Sequence, residues 1–309
     1  MAIRHIAVIG AGLMGHGIAL TLARAGHHVA LTDPMAEALH QAPERIAASL
    51  ESLGTGTDEI SACLERVSLR DTLPDAVQHA EFVFEAAPEK LALKQQIFAE
   101  VEAHASSDAI LASNTSVIQI TKIMRDLRRR NRALGTHWWN PPHMIPLVEV
   151  IRTEWTDDAA MEEMTQLLAG TGKTPVRVEK DVPGFIGNRM QHALWREAIS
   201  LVERGICDAA AVDTVIKSCF GRRLAVLGPL ENADLVGTDL TLDIHENVLA
   251  DLENRPGPSP YLEQLVKDGK LGMKAGEGFH TWTPEKADET RARVARFLGR
   301  LDTVLDDID

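Results

Sequence analysis

The segment that most restricts the fold lies at the N-terminus, where a β-prone run, Ile3-Arg4-His5-Ile6-Ala7-Val8-Ile9, leads into Gly10-Ala11-Gly12-Leu13-Met14-Gly15 and then a helical pattern. Strand, glycine turn and helix in that order form the context that a dinucleotide-binding crossover unit needs. Gly10 is expected to make the tight turn, Gly12 to let backbone approach a pyrophosphate, and Gly15 to allow close packing of helix on strand. Leu13 and Met14 complete the turn, and the helix N-terminus offers N–H groups and positive potential to a diphosphate. Asp33 ends the second strand 18 residues after Gly15, where a carboxylate accepts hydrogen bonds from ribose hydroxyls. It also suits the N-cap of a helix starting at Pro34, and the two roles are compatible. No arginine follows to pair with a 2′-phosphate, so NAD rather than NADP is the expected cofactor.

The pattern that begins here continues. Strands are predicted at Ile3–Ile9, His28–Thr32, Phe82–Ala86, Ala109–Ala112, Arg132–Trp138, Leu147–Ile151 and Pro175–Val178, alternating with helices at Gly12–Ala25, Pro34–Leu53, Glu89–His104 and Asp157–Ala169. Such alternation implies a mostly parallel sheet with helices on both faces. After Pro183-Gly184 the β-branched runs stop, and helices are predicted at Phe185–Arg204, Ala209–Ser218, Glu231–Glu253, Tyr261–Lys267 and Pro284–Asp306. The expected architecture is therefore α/β: a Rossmann-type doubly wound sheet over residues 1–183, then an all-α domain over 184–309. The apolar face of the first of these later helices (Ile186, Met190, Leu194, Ile199, Val202) suits a bundle that also forms a subunit interface.

Composition excludes other classes. A formal charge of −13 repels phosphate backbones and anionic lipid. The one basic run, Arg128, Arg129, Arg130 and Arg132, reads as a solvated helix end. Neither nucleic acid nor membrane is expected as a partner. Cys63, Cys207 and Cys219 lack metal-ligand spacing, and no metal site is expected. With no apolar leader and no apolar run of spanning length, the chain is expected to be cytoplasmic.

Chemistry concentrates in Gly135-Thr136-His137-Trp138-Trp139-Asn140-Pro141-Pro142-His143-Met144-Ile145-Pro146-Leu147-Val148-Glu149-Val150. His137 falls at the end of one strand, the double proline forces an extended turn, and the next strand carries Glu149 back. A carboxylate beside an imidazole fixes its tautomer and stabilises the imidazolium once a proton arrives, as a general base near neutral pH requires. The adjacent tryptophans alternate, so only one of them faces the site.

These segments resemble the L-3-hydroxyacyl-CoA dehydrogenase family. The resemblance rests on the glycine turn, Glu85-Ala86-Ala87-Pro88-Glu89-Lys90, Ser113-Asn114-Thr115-Ser116, the His137 to Glu149 segment, Pro183-Gly184-Phe185-Ile186-Gly187-Asn188-Arg189, and Leu271-Gly272-Met273-Lys274-Ala275-Gly276-Glu277-Gly278-Phe279, all in the family order. It implies a cofactor site lined by Asp33, Ala86, Ala87, Glu89, Lys94, Asn114 and Asn140, with Lys274 from the second domain. It implies Ser116, His137 and Asn188 around the substrate oxygen, Glu149 behind the histidine, and a homodimer. The activity implied is NAD-dependent, reversible oxidation of a secondary 3-hydroxy group. From the residues alone, Ser116 also suits a cap of the turn at Val117, Asn188 a bond to its own helix, Glu89 a first-turn acid and Lys94 a solvated helix position.

One departure bears on substrate. Family members acting on acyl-CoA resemble one another in a lysine-rich hairpin after the second strand, near the CoA phosphates. Here the first lysine is Lys90, and residues 37–75 carry only Arg45, Arg66 and Arg70 against a majority of acids. Similar Asn-Pro-Pro segments occur in relatives that oxidise small free acids or alcohols: carnitine, gulonate and a pyridine derivative of vitamin B6 breakdown. The expected substrate is thus a 3-hydroxyacyl-CoA or a small hydroxy acid or alcohol. A non-enzymatic, crystallin-like NAD-binding protein is the remaining alternative.

Overall fold

In the computed structural model, which describes residues 2–307, the chain divides into two compact units, Met1–Arg189 and Met190–Asp309. The first contains β1 (His5–Ile9), β2 (His28–Thr32), β3 (Val67–Arg70), β4 (Phe82–Glu85), β5 (Ile110–Ser113), β6 (Ala133–Trp138), β7 (Leu147–Ile151) and β8 (Thr174–Val178). They form one sheet in the order β3-β2-β1-β4-β5-β6-β7-β8, and every pair is parallel except β6 with β7. The chain runs outward from β1 to β3 and returns at β4. The loops after β1 and β4 therefore diverge, and the crevice between them is where open α/β sheets bind ligands.

Central strands are buried on both faces, which explains their continuous apolar runs. Ile6 and Val8 point into one layer with Ile18, Leu22, Phe84 and Leu134, whereas Ala7 and Ile9 point into the other with Val83, Phe98, Leu111 and Ile151. The covering helices are α1 (Gly15–Arg24), α2 (Ala36–His40), α3 (Ala42–Ser52), α4 (Thr57–Leu64), α5 (Leu73–Val77), α6 (Leu91–His104), α7 (Ile120–Met124) and α8 (Asp158–Gly170).

Several sequence expectations need correction. β3 was not anticipated: it is an edge strand whose residues alternate between half-buried and exposed, without a continuous apolar signal. The helix predicted over Pro34–Leu53 is two, because Pro43 opens a new helix in which it needs no N–H donor. Asp33 caps neither, since the residue preceding α2 is Met35, whose N–H donates to Asp33 Oδ1 at 2.8 Å. Asp157 holds the N-cap position of α8, but no cap hydrogen bond forms and its Oδ2 accepts from Asn131 Nδ2 instead. The arginine run is satisfied locally: Arg129 donates to the Glu102 and Ser106 carbonyls, Arg130 lies over Trp155, and Arg132 pairs with Glu163.

Helix α9 (Gly187–Glu203) begins in the first unit and continues in the second, which also holds α10 (Ala209–Ser218), α11 (Pro229–Val236), α12 (Thr238–Val248), α13 (Pro260–Lys267) and α14 (Pro284–Asp306). The single helix predicted over Glu231–Glu253 is broken at Gly237, whose φ of +101° ends α11 and starts α12. Among the described residues of this unit only Leu265 and Ala287 are buried hydrophobic residues, while Leu230, Leu235, Leu242, Val266 and Phe297 are more than half exposed. None of the described helices is long and apolar enough to cross a membrane.

Candidate active site

The glycine turn separates into positions required by the chain and one that is not. A Cβ on Gly10 would stand 2.8 Å from the Ala86 carbonyl oxygen, and its φ is +102°; a Cβ on Gly15 would overlap the Gly10 carbonyl at 1.7 Å. Gly10 answers to the backbone that follows β4, and Gly15 to the packing of α1 on the turn. A Cβ on Gly12 meets no protein atom within 4 Å. Its small size leaves room over the start of α1, where N–H groups suit a diphosphate. Leu13 is exposed beside it and Met14 is half-buried. Asp33 Oδ2 accepts from Ala11 N at 2.7 Å, so the carboxylate at the end of β2 pins the turn while keeping further lone pairs toward the crevice.

Behind the crevice lies a charged network that sequence reading missed in part. Glu85, the last residue of β4, is fully buried; its Oε1 accepts from Lys94 Nζ at 2.7 Å and Ala87 N at 2.6 Å, and Oε2 from Ser113 Oγ at 2.6 Å. Lys94 also donates to the Ala87 carbonyl at 3.2 Å and lies 3.5 Å from Glu89. It is therefore not a solvated helix residue: its side chain has no exposed surface. Removing one partner of such a pair leaves a buried charge and costs about 3–5 kcal/mol. Glu89 accepts from the Thr115 hydroxyl and from the Ser116 and Val117 N–H groups. Burial raises its pKa, but those hydrogen bonds and Lys94 outweigh burial and hold it below the usual carboxylate range. The network fixes Ala86 and Ala87 on one side of the crevice and Ser116 on the other. Thr115, not Ser116, caps the turn there, accepting from Ile118 N at 3.1 Å.

His137 and Glu149 stand directly opposite in the antiparallel β6–β7 pair. Nδ1 of the buried imidazole lies 2.7 Å from Glu149 Oε2, while Nε2 has no partner among the described residues. Glu149 Oε1 accepts from Ile186 N at 2.8 Å and Gly187 N at 3.1 Å. Burial raises this carboxyl's pKa, yet the His137 hydrogen bond and the two N–H groups prevail and keep it below the usual carboxylate range. The chain reaches this position through Gly184, φ +75°, and Phe185, φ +50°, two successive left-handed residues that turn the next two N–H groups toward Glu149. An ionised Glu149 on Nδ1 leaves Nε2 as the atom that accepts a proton.

Asn188 Nδ2 donates to the Ser116 carbonyl at 2.9 Å, which brings these two residues together. Asn188 thus bonds across to β5's loop rather than to its own helix. Asn114 Oδ1 accepts from Trp138 N at 2.9 Å and ties β5 to β6. Asn140 is exposed and precedes a cis peptide bond to Pro141. Its loop is clamped from below: Lys173 Nζ donates to the Pro142 carbonyl and, at 2.8 Å, to that of Ile145, and Pro142 packs on Gly17 of α1. His143 is half-buried with Nδ1 enclosed and unpartnered. Burial, then His16 and Lys173, push its pKa down to about 4. Trp138 is core, edge-on to Phe84 at 6.1 Å, whereas the Trp139 ring lies 5.0 Å from that of His137. Lys274 is exposed on a turn of the second unit, Met273–Ala275. No group of metal-ligating side chains occurs among the described residues.

Comparison with known proteins finds relatives over nearly the whole chain. Family models described as the NAD binding domain and the C-terminal domain of 3-hydroxyacyl-CoA dehydrogenase match residues 5–182 and 184–282. The chain is 37% identical over 98% of its length to 5-formyl-3-hydroxy-2-methylpyridine 4-carboxylate 5-dehydrogenase of Mesorhizobium japonicum, of which 99% is covered. It is also 37% identical to a probable 3-hydroxybutyryl-CoA dehydrogenase of Bacillus subtilis, with 91% of this chain and 98% of that one covered. Among solved structures, a 5-formyl-3-hydroxy-2-methylpyridine 4-carboxylic acid 5-dehydrogenase described as an NAD+-dependent dismutase superposes with a TM-score of 0.91, 36% identity and 99% of both chains. The (S)-3-hydroxybutyryl-CoA dehydrogenase of Ralstonia eutropha gives 0.77 and 31%, over 91% of this chain and all of the other.

Proposed function

The chain belongs to the 3-hydroxyacyl-CoA dehydrogenase family and is an NAD-dependent dehydrogenase of hydroxyl groups, and we propose that its substrate is a small free carboxylate rather than a CoA thioester. The observation that carries the chemistry is the His137–Glu149 pair, with Nε2 left unpartnered and Asn188 joined to Ser116. His137 Nε2 takes the hydroxyl proton as the carbon–oxygen bond becomes a carbonyl, and Glu149 stabilises the imidazolium. Ser116 and Asn188 donate to the substrate oxygen. NAD, when bound, accepts the hydride from the same carbon. Gly10, Gly12, Leu13, Met14, Gly15, Asp33, Ala86, Ala87, Asn114 and Asn140 would hold it, with Glu89 and Lys94 behind them. Run in reverse, protonated His137 returns the proton. In a hydrated aldehyde the same loss of proton and hydride yields a carboxylic acid.

The proposal of a free acid is supported by the segment from α2 to α4. It has no lysine, and two of the three arginines within residues 37–75 are turned inward, Arg45 onto the Ala11 carbonyl at 3.3 Å and Arg66 onto that of Ala23 at 3.5 Å. A multiply phosphorylated nucleotide would find few charge-assisted contacts there. The relative named for a pyridine carboxylate supports the same reading, covering the chain end to end. A second reading, oxidation of a 3-hydroxyacyl-CoA at a secondary hydroxyl, is supported by the relatives named for that activity. NADH formation at saturating NAD distinguishes them: formyl or hydroxymethyl pyridine carboxylates, 3-hydroxybutyrate, carnitine and gulonate are compared with 3-hydroxybutyryl-CoA. The expected outcome is turnover of a free carboxylate with at least tenfold higher kcat/KM than the thioester. A micromolar KM for 3-hydroxybutyryl-CoA with efficient turnover overturns the proposal, and NAD binding without turnover of any substrate would favour the non-enzymatic alternative.

A homodimer in the cytoplasm completes the proposal. The exposed apolar residues of the second unit support a second copy as partner. Leu240, Ile244 and Val248 lie at spacings of four along α12 and share one exposed stripe.

A further inference from the structure

Trp139 is seated at a cost to the chain. Its Cζ2 atom lies 2.4 Å from where a Cβ on residue 187 would stand, with Cε2 and Cη2 at 3.3 Å, so the benzo edge of the indole fills the space of any side chain there. Gly187 is the first residue of α9 and its φ is not positive, so the backbone has no need of glycine. Glycine in a helix is unfavourable relative to alanine; here the indole explains it. Trp139 Nε1 is buried without an acceptor, a second penalty that phenylalanine would avoid. Against these costs stands one gain, a broad flat ring beside the base. Two aromatic residues flank His137, Phe185 at 5.5 Å and Trp139 at 5.0 Å, but Phe185 is 1% exposed whereas Trp139 keeps part of its surface open. With Nε1 enclosed, the ring offers carbon rather than a donor. Its edge abuts Gly187, the chain neighbour of Asn188, while its ring stands beside the imidazole of His137.

We propose that Trp139 is a specificity-determining residue, a stacking wall that selects a planar aromatic carboxylate over an aliphatic hydroxy acid or acyl chain, with Gly187 as the socket that seats it. This rests on the reading of the site as one for a small free acid. Aromatic pairs in offset or tilted contact gain enough over plain burial to change binding by about three- to tenfold. Aliphatic chains in contact with the same wall gain only area.

The test is selectivity. Wild type, Trp139→Leu, Trp139→Phe, Gly187→Ala and the double variant Gly187→Ala/Trp139→Leu are assayed with a formylpyridine carboxylate, 3-formylbenzoate, 3-hydroxybutyrate and 3-hydroxybutyryl-CoA. In Trp139→Leu the ratio of aromatic to aliphatic kcat/KM is expected to fall about three- to tenfold, mainly through KM, with Trp139→Phe intermediate. Gly187→Ala should lose activity on every substrate, because the indole is driven out of its seat. The double variant should regain the activity and selectivity of Trp139→Leu. If Trp139→Leu and Trp139→Phe lower aromatic and aliphatic turnover by the same factor, Trp139 is a packing residue and the inference fails while the free-acid reading stands. A wild type that turns over only the thioester overturns both. A wild type that prefers 3-hydroxybutyrate to either aromatic keeps the free-acid reading and overturns the wall.

Discussion

The two units handle apolar surface in opposite ways. In the first, side chains from every strand of the sheet's centre close two continuous layers, and the polar groups left inside them are paired, as Glu85 is with Lys94, Ala87 N and Ser113. In the second, Met190, Trp195, Leu240, Ile244 and Val248 remain in solvent, and buried hydrophobic residues are almost absent among those described. A domain of that size ordinarily buries well over half of the surface its unfolded chain exposes. The first unit is thus equipped to place reacting groups by itself, whereas the second leaves much of its apolar surface uncovered.

The contrast breaks most sharply if chemistry does not reside in the first unit. His137→Gln is expected to lower kcat for the preferred substrate by about 100- to 10,000-fold, the range spanned by general acid–base catalysis, with NAD affinity retained. Steady-state rates with fluorescence titration of NADH check this, and a loss below tenfold removes His137 as the base. The second unit supplies the next effect. Ile244→Asp, in the middle of the exposed stripe, should weaken self-association by about 30-fold or more, the scale of an interface hot spot. Sedimentation velocity over a dilution series reads it, and an unchanged sedimentation coefficient for the variant would remove the stripe from the interface.

The smallest effect lies beneath the active-site loop. Folded His143 titrates at about 4 instead of 6.5 because burial, His16 and Lys173 oppose the imidazolium, and His16 is lowered as well, chiefly by burial. As pH falls below 6.5 the unfolded chain takes up these protons first. The stability they contribute is therefore complete above that pH and declines toward pH 4. Urea midpoints measured across this window should fall less steeply for His143→Asn than for wild type, and parallel slopes would count against the assignment.

How much was readable in advance follows from how far each signal reaches along the chain. Short β-prone runs announce themselves locally, so β2 and β7 were delimited to the residue and β1, β4, β5, β6 and β8 to within one or two. The His137–Glu149 pair was also legible, since a tight return between antiparallel strands puts partners opposite each other within a dozen residues. Glu85, Thr115 and Lys173 were not. Their roles arise where β4 meets α6, where β5's loop meets Glu89, and where the α8–β8 connection meets the proline loop. Those encounters depend on sheet order, which no local pattern specifies. The seat of Trp139 on Gly187 is of the same kind: Gly187 fell within the helix predicted at Phe185–Arg204, where nothing local asks for glycine, and it answers to a side chain 48 residues earlier.

Phe185 carries a further consequence. A non-glycine residue held at φ +50° costs on the order of 1–3 kcal/mol, and glycine would adopt the same geometry without that penalty. Phe185→Gly relieves the backbone but removes a ring packed 5.5 Å from that of His137. That ring is almost fully buried, and deleting a core phenylalanine costs about 3–5 kcal/mol, more than the strain it would return. Durability and the packing around the base therefore ask for the same residue here, and the strained turn persists because its side chain anchors it.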